Sequence, residues 1–292
     1  MIKIIYIAGD GRSGSTLLDA ILSNIEGSIS VGECNRYWVR YPENESHCAC
    51  ASLMQDCSLW SKVEARLKAQ FPDYDAVSFE KKVKELQYYK NFKNIPSLIQ
   101  KGGWLHFTAV VKAFYTAIAE ISESSCIIDS SKSMPWGYLL QHLDGFDVRV
   151  IHLERNLLAV GNSWKKTIRL PEYTDREVFM PKKGNRLIAK TWLKTKLMGR
   201  TLKKQQNYTF VRYESLCNDP AKALEKIQLL IEESIPMKNL QLYPNHAIGG
   251  NPMRSSMTKL EIKRVTINTQ HLGFLDTIYF KLINGLAKLF LS

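Results

Sequence analysis

The sequence lacks the features that would assign it to several large classes of protein. It has no internal repeat or low-complexity tract, and its 45% hydrophobic and 23% charged residues exclude a mainly disordered, collagen-like or coiled-coil chain. Its most apolar run, residues 272–291, carries Asp276, Lys281 and Lys288, which makes it a poor membrane-spanning helix. No small-residue cleavage site follows the apolar residues 1–8, so we expect a buried strand there instead of a secretory signal.

Cysteine is scarce, with six residues in 292. Because no export signal is evident, we expect a cytoplasmic, reducing location, where disulfide frameworks are rare. Cys48, Cys50 and Cys57 lie close together beside His47 and offer ligands for a structural zinc ion. Cys-x-Cys is an unusual zinc spacing and no second pair of ligands is evident. Free or occasionally oxidised thiols are therefore the favoured interpretation, and zinc is the alternative.

Acidic residues are outnumbered, with 28 Asp and Glu against 40 Lys and Arg, for a net charge of +12. This excess predicts an anionic partner, such as a phosphorylated cofactor, a nucleic acid or a membrane surface. Nucleic acid is disfavoured because no strand motif interleaves aromatic and basic residues. Residues 270–292 are predicted to form a C-terminal helix docked on the core, with peripheral membrane contact as the alternative.

Short apolar runs alternate with stretches of helical spacing along most of the chain. The apolar runs are residues 2–8, 126–129, 148–153 and 208–212, and the helical stretches are residues 16–25, 135–143, 157–168 and 220–231, with a further basic helix at 185–206. This alternation predicts a single α/β domain over 1–292, a parallel β-sheet flanked by helices on both faces. Residues 36–115 interrupt it and are interpreted as a mostly helical insertion that shapes a substrate pocket.

A glycine-rich loop follows the first predicted strand, with the sequence GDGRSGSTLL at residues 9–18. Glycines let successive N–H groups face one oxyanion, and the following helix start favours negative charge. Ser13, Ser15 and Thr16 add hydroxyl donors, and Arg12 adds a forked cation suited to phosphate or sulfate. Gly-Lys-Ser/Thr is absent, which excludes a Walker A loop. A plain glycine turn that opens a helix is the alternative.

Polar residues at other strand ends provide further candidates. Arg155 ends a strand and Ser163 lies two helical turns later, so the two can converge on one phosphate. Glu33 follows a glycine after the first helix, and Lys132 ends the segment Asp129-Ser130-Ser131-Lys132 after another apolar run. The alternatives are solvated or structural roles for each of these side chains.

Residues 12–18, RSGSTLL, resemble the 5′-phosphosulfate loop of the sulfotransferase family, whose members use 3′-phosphoadenosine 5′-phosphosulfate (PAPS) as sulfuryl donor. The resemblance implies a P-loop-like parallel sheet and extends over 2–254, weakly across 58–120. Many relatives have Arg-Asp-Pro where this chain has Arg155-Asn156-Leu157. The donor-binding residues that the resemblance implies are Gly11, Arg12, Ser13, Gly14, Ser15, Thr16, Leu17, Ser131, Arg155, Ser163, Tyr213, Gly250, Asn251 and Arg254, the last three in a loop that closes over the nucleotide.

The resemblance also implies an in-line transfer of the sulfuryl group to a hydroxyl or amine. Glu33 is then the general base, with His47 and His106 as rival bases because some relatives use histidine. Arg12 and Lys132 stabilise the negative charge that develops on the leaving group, and the scheme requires no metal. A small molecule, a glycan, a lipid-like molecule and a peptide tyrosine stay open as acceptors. Two other functions stay open as well: a P-loop nucleotide-dependent phosphotransferase, and a basic non-enzymatic protein that binds anions or membranes.

Overall fold

The structure is a computed structural model that describes residues 1–43, 45–170, 176–236, 240–242, 246–249 and 260–291. At its centre lies a five-stranded sheet in the order β2-β3-β1-β4-β5, and all neighbouring strands are parallel. The strands are β1 Ile2–Gly9, β2 Ser28–Gly32, β3 Cys126–Lys132, β4 Phe146–Glu154 and β5 Tyr208–Arg212. The predicted α/β fold with a parallel sheet is confirmed.

One strand, β2, is missing from the sequence-based prediction. It has only five residues, SISVG, and two of them are serines, so it lacks the apolar run that marks the other strands. Both serine hydroxyls have a hydrogen-bond partner. The Ser28 hydroxyl donates to Ile25 O at 2.7 Å, and the Ser30 hydroxyl donates to the Asp19 carboxylate. Those hydrogen bonds allow polar side chains to occupy a largely buried strand.

Helices surround the sheet and make up most of the region between β2 and β3. They are α1 Ser15–Leu22, α2 Tyr37–Arg40, α3 Trp60–Gln70, α4 Ala76–Leu86, α5 Ile95–Leu98, α6 Gly103–Ser122, α7 Met134–Leu140, α8 Leu157–Lys165, α9 Asn185–Leu202, α10 Tyr213–Asn218, α11 Pro220–Ile231 and α12 Phe274–Leu291, with 3₁₀ turns at Cys34–Arg36, Met54–Asp56 and Tyr89–Asn94. The helix predicted at 220–231 has the observed bounds because Asp219 accepts a hydrogen bond from Lys222 N at 3.3 Å and caps its start. The helix predicted at 16–25 ends earlier, at Leu22, and Ile25 is buried in the turn beyond it.

Alternate residues of β1 face two different hydrophobic clusters. Ile4 and Tyr6 share one cluster with Trp60 and other aromatic residues of the 36–115 insertion. Ile5 and Ile7 share the other with α1 and α11. Since side chains alternate across a strand, helices cover both faces of the sheet. The insertion buries its apolar residues against the sheet itself. The single domain over 1–292 stays a prediction.

The C-terminal helix α12 docks along one face only. Its buried residues, Phe280 and Ala287, pack in a cluster with residues of α8 and α9, and Phe280 lies so close to Gly161 that a Cβ there would come within 2.4 Å of the ring. The opposite face leaves Leu275, Leu282 and other large apolar side chains exposed. Within the described residues, no helix has the length and apolar character needed to span a membrane. Membrane contact stays a prediction.

Candidate active site

The carboxyl ends of the central strands border one open cleft of about 1280 Å³. Ligands of parallel α/β sheets bind at this edge, where strands lead into helix starts. The sequence-predicted residues that line the cleft are Gly11, Arg12, Gly14, Ser15, Thr16, Leu17, Glu33, Ser131, Lys132, Arg155, Ser163 and Tyr213. Residues that lie far apart in the chain are therefore brought to a single cavity by the topology of the sheet.

The loop between β1 and α1 requires glycine at two positions. Gly14 has a φ of +94°, and a Cβ there would come within 2.1 Å of the Tyr213 ring. A Cβ on Gly11 would come within 2.7 Å of Trp164. Gly14 is also the N-cap of α1 and supplies no capping side chain. No side chain caps the start of α1, and its first residues line the cleft, so this helix start suits an oxyanion.

Ser13 differs from the other predicted loop residues. It is only 1% exposed, does not line the cleft, and its hydroxyl lies 3.1 Å from where a Cβ on Gly9 would be. That hydroxyl has no hydrogen-bond partner among the described residues. The structure therefore does not bring the Ser13 side chain to the predicted anion site, whereas Ser15 and Thr16 do border the cleft.

Arg155 connects the end of β4 to the glycine-rich loop. Its Nη1 donates to Arg12 O at 3.3 Å, and its guanidinium carbon lies 4.5 Å from the centroid of the Tyr213 ring. Its Nε is buried and has no hydrogen-bond partner within the described chain, which leaves donor capacity for an anion. Asn156, at the position of the family aspartate, caps α8 by accepting a hydrogen bond from Leu158 N at 3.0 Å. The helix start thus keeps a capping side chain without the acid and proline.

A basic and aromatic cluster adds residues that sequence reasoning missed. The Arg12 guanidinium carbon lies 4.9 Å and Lys183 Nζ 4.1 Å from the Trp164 ring. Burial lowers the pKa of both cations, and the carboxylate of Glu33 partly offsets this for Arg12. Lys183 lines the cleft but belongs to no recognisable motif. The only feature of the sequence that marks it is the lysine pair Lys182-Lys183. Together these cations favour an anionic ligand.

The candidate base Glu33 is held by two cations. Lys132 Nζ donates to Glu33 Oε1 at 2.6 Å, and Arg36 Nη1 donates to Oε2 at 3.3 Å. Glu33 is 8% exposed and lines the cleft. Lys132 has a φ of +67° at the end of β3, which turns the chain there. The Ser131 hydroxyl accepts from Asn35 N at 3.1 Å and fixes the adjoining turn.

Two buried aspartates differ in their relation to the cleft. Burial raises the pKa of both Asp10 and Asp129 to about 6. Asp10 lines the cleft. Asp129 is fully buried below it and accepts hydrogen bonds from the Tyr115 hydroxyl and from Ser131 N at 2.8 Å. Asp129 therefore has a structural environment and does not present a carboxylate to a nucleotide-bound magnesium ion.

The remaining candidates fall in different places. Gly250, Asn251 and Arg254 lie outside the described residues. Of the two rival bases, His47 borders the cleft, whereas His106 is exposed on α6 and packs edge-on against Phe71.

The cysteine cluster contains a histidine that the sequence reasoning did not assign to it. Cys48, Cys50 and Cys57 meet His246, and the nearest predicted histidine, His47, instead contacts Glu45 O with Nδ1 at 3.0 Å. The sequence shows no second pair of ligands, and the structure adds one further ligand, His246, to the three cysteines. Cys57 and His246 are 189 positions apart, so their proximity depends on the fold and leaves no local spacing to detect.

Comparison with known proteins agrees with this geometry. A family model described as "Sulfotransferase domain" matches residues 3–272. The chain belongs to the sulfotransferase family. No curated protein sequence matches the chain significantly.

Solved structures that resemble this sulfotransferase are remote in sequence. A sulfotransferase domain from the curacin biosynthetic pathway is 15% identical, with 99% of this chain and 98% of that chain covered and a TM-score of 0.49. A sulfotransferase domain of a Synechococcus olefin synthase is 20% identical, with 98% and 94% covered and a TM-score of 0.44. A sulfotransferase from Mycobacterium avium is 12% identical, with 99% and 77% covered and a TM-score of 0.49.

Proposed function

We propose that this sulfotransferase moves a sulfuryl group from PAPS to a hydroxyl or amine of a polar acceptor. The observation that carries the proposal is the convergence on one cleft of an uncapped helix start, a strand-end arginine and a buried carboxylate–lysine pair. The first two features bind anions. The third is a base beside a cation, as proton removal and charge stabilisation require.

The polar atoms that border the cleft support PAPS as the donor. The N–H groups at the start of α1, with Ser15 and Thr16, would hold the 5′-phosphosulfate. Arg155, whose Nε is buried without a partner in the described chain, would hold the 3′-phosphate together with Ser163. The cations Arg12 and Lys183 add to the positive field, so part of the net positive charge serves donor binding.

The transfer itself needs one proton acceptor and several stabilised negative charges. Glu33 accepts the proton of the acceptor hydroxyl. At the same time the acceptor oxygen forms a bond to sulfur, and the bond from sulfur to the donor phosphate breaks. Lys132 and Arg12 stabilise the negative charge that develops on the leaving phosphate. The 2.6 Å contact between Lys132 Nζ and Glu33 lets the lysine shift toward the phosphate as the carboxylate becomes protonated.

The side of the cleft formed by the insertion favours a polar acceptor. Arg36, Arg40 and Gln87 line it. The tryptophans that would suit an apolar or stacking acceptor are instead core residues, with Trp38 only 2% and Trp60 0% exposed. We therefore propose a small polar molecule or a glycan, rather than a lipid-like molecule, as the substrate class.

Transfer of radiolabelled sulfuryl tests the proposal. Purified protein is incubated with PAPS labelled at sulfur and with extracts of the source cells, and a Glu33→Gln variant serves as the control. We expect label to enter an acceptor with wild type only. In parallel, thermal shifts compare 3′-phosphoadenosine 5′-phosphate, ATP with magnesium, and an oligonucleotide. Stabilisation by ATP with magnesium but not by the desulfated donor would instead favour a phosphotransferase.

A further inference from the structure

Three thiols and one imidazole form a compact cluster beside the cleft. Cys57 Sγ lies 3.6 Å from Cys48 Sγ and 3.7 Å from Cys50 Sγ. His246 Nδ1 lies 3.1 Å from Cys57 Sγ and 3.9 Å from Cys48 Sγ, and the four candidate ligand atoms are all within 4.8 Å of one another. Cys48 and Cys57 are buried, and Cys50 and His246 are half-buried.

The two sulfur–sulfur distances match a tetrahedral metal centre and differ from a disulfide, and the two sulfur–nitrogen distances, 3.1 and 3.9 Å, lie on either side of the tetrahedral value. With Zn–S bonds of about 2.3 Å and Zn–N bonds of about 2.0–2.1 Å, tetrahedral angles place two sulfurs about 3.8 Å apart and a sulfur and a nitrogen about 3.5 Å apart. The sulfur–sulfur distances of 3.6 and 3.7 Å agree with that geometry. A disulfide would bring two sulfurs to about 2.05 Å. All six cysteines are free.

The surrounding backbone already fixes the ligands. Cys48 N donates to Ser52 O at 2.9 Å and Ala51 N donates to Cys48 O at 3.0 Å, and Ala51 has a φ of +70°, so this stretch forms a tight turn. On the other side, Trp60 Nε1 donates to His246 O at 2.7 Å. Such outer contacts hold ligands in place before the metal binds.

We propose that Cys48, Cys50, Cys57 and His246 bind a structural Zn²⁺ ion. Three thiolates and an imidazole form a complete four-ligand set with no open position, which is typical of structural zinc and not of catalytic zinc. Binding replaces up to three thiol protons by the metal and transfers no electrons. The ion joins the start of the insertion to a segment almost 200 residues later in the chain.

The zinc site lies next to the candidate base. Ile248, two residues after His246, donates through its N–H to Val31 O at 2.9 Å and accepts from Glu33 N at 2.9 Å. A Cβ on Gly32 would come within 2.6 Å of Ile248 O, so the two segments are in close contact. The zinc ion thus holds residues 246–249 against the backbone of Glu33, and its role there is to position the base.

Metal analysis tests the proposal without any measurement of sulfuryl transfer. Protein purified in reductant and supplied with zinc is analysed by mass spectrometry of the metal and by competition with a chromogenic chelator. We expect one zinc ion per chain in wild type and in the matched control His47→Ala, which alters the histidine beside Cys48. Loss of an outer-shell partner weakens metal binding by up to about 100-fold. Loss of a direct ligand in His246→Ala should therefore weaken zinc binding by at least about that factor.

Cobalt substitution and hydrogen exchange remain informative if His246→Ala folds poorly. Wild type loaded with Co²⁺ should show intense thiolate-to-cobalt charge-transfer absorption. Removal of zinc by a strong chelator should speed exchange at the amides of Ile248 and Glu33 while leaving those of β1 unchanged. A wild-type chain that binds no zinc, zinc binding unchanged in His246→Ala, or a native disulfide among the three cysteines would each overturn the proposal. None of these outcomes bears on the proposed sulfuryl transfer.

Discussion

Replacement of Glu33 by glutamine separates a base from a structural carboxylate. The glutamine keeps the volume of the side chain and one carbonyl oxygen. That oxygen can still accept the hydrogen bond that Lys132 Nζ donates at 2.6 Å. It removes the negative charge and the ability to take a proton. A positioned general base contributes about 10²–10⁴-fold to rate, so we expect kcat to fall by about that factor. Donor affinity should change little, because the proposed donor contacts involve other residues.

Two measurements on the same samples test this expectation. Single-turnover transfer from labelled PAPS gives the rate of the chemical step, and calorimetric titration with 3′-phosphoadenosine 5′-phosphate gives donor-site affinity. Glu120→Gln is a suitable control, because Glu120 is an exposed carboxylate that pairs with Arg66 on the surface. Equal losses of rate and affinity in Glu33→Gln would show that Glu33 organises the cleft, and an unchanged rate would refute its role as the base.

Four further changes test other parts of the account. Arg155→Ala should weaken the binding of 3′-phosphoadenosine 5′-phosphate by about 10–100-fold, because a charged hydrogen bond contributes about 1.5–3 kcal/mol. The binding of adenosine 5′-phosphosulfate should weaken far less, and similar losses of affinity for both nucleotides in calorimetry would contradict the 3′-phosphate assignment. Gly14 has a φ of +94°, so Gly14→Ala should lower the free energy of unfolding by about 1–3 kcal/mol. Gly103 has open space around it, so the control Gly103→Ala should change the free energy of unfolding by less than about 0.5 kcal/mol. Equal effects of the two changes in urea unfolding would argue against backbone strain at Gly14. Because burial raises the pKa of Asp129 to about 6, the contribution of Asp129 to the free energy of unfolding should be complete below its unfolded pKa and be lost, by about 3 kcal/mol in total, as pH rises to about 6. The difference in the free energy of unfolding between wild type and Asp129→Asn should therefore change across this pH range, and parallel pH profiles would contradict the assignment. Leu282 lies on the exposed face of α12, so Leu282→Glu should reduce the fraction of protein that cosediments with anionic vesicles. If the wild-type protein does not cosediment either, the peripheral membrane contact is wrong.

The sequence predicts the sheet because long apolar runs are sufficient to mark buried parallel strands. Residues 4–8 of β1 are all buried and apolar, and most of residues 148–153 of β4 are buried even though Arg149 and His152 interrupt the apolar run. The strand β2 is not predicted because its serine hydroxyls are satisfied by Ile25 O and by the Asp19 carboxylate of α1, which no apolar pattern reveals. Fold class therefore follows from hydrophobic runs, whereas a short polar strand depends on its tertiary partners.

The site divides in the same way between local motifs and long-range contacts. Gly14 and Arg155 stand at boundaries of predicted strands and helices, where position alone indicates that they lie at the carboxyl edge of the sheet. Glu33 follows the unpredicted strand β2 and is marked only by its resemblance to the family's Gly-Glu. Lys183 and His246 belong to loop segments and reach the cleft or the cysteine cluster only through the fold. Their residue types carry the chemistry, but sequence spacing gives no distance between them and their partners.

The most direct test of the central claim is a comparison of two nucleotides by calorimetry in the absence of magnesium. The wild-type protein is titrated with 3′-phosphoadenosine 5′-phosphate and with adenosine 5′-monophosphate, which differ only in the 3′-phosphate. Because the cleft is proposed to hold both phosphates, we expect the bisphosphate to bind at least about tenfold more tightly, a difference of about 1.4 kcal/mol. Equal affinities, or no binding of either nucleotide, would contradict a cleft built for an activated sulfate donor.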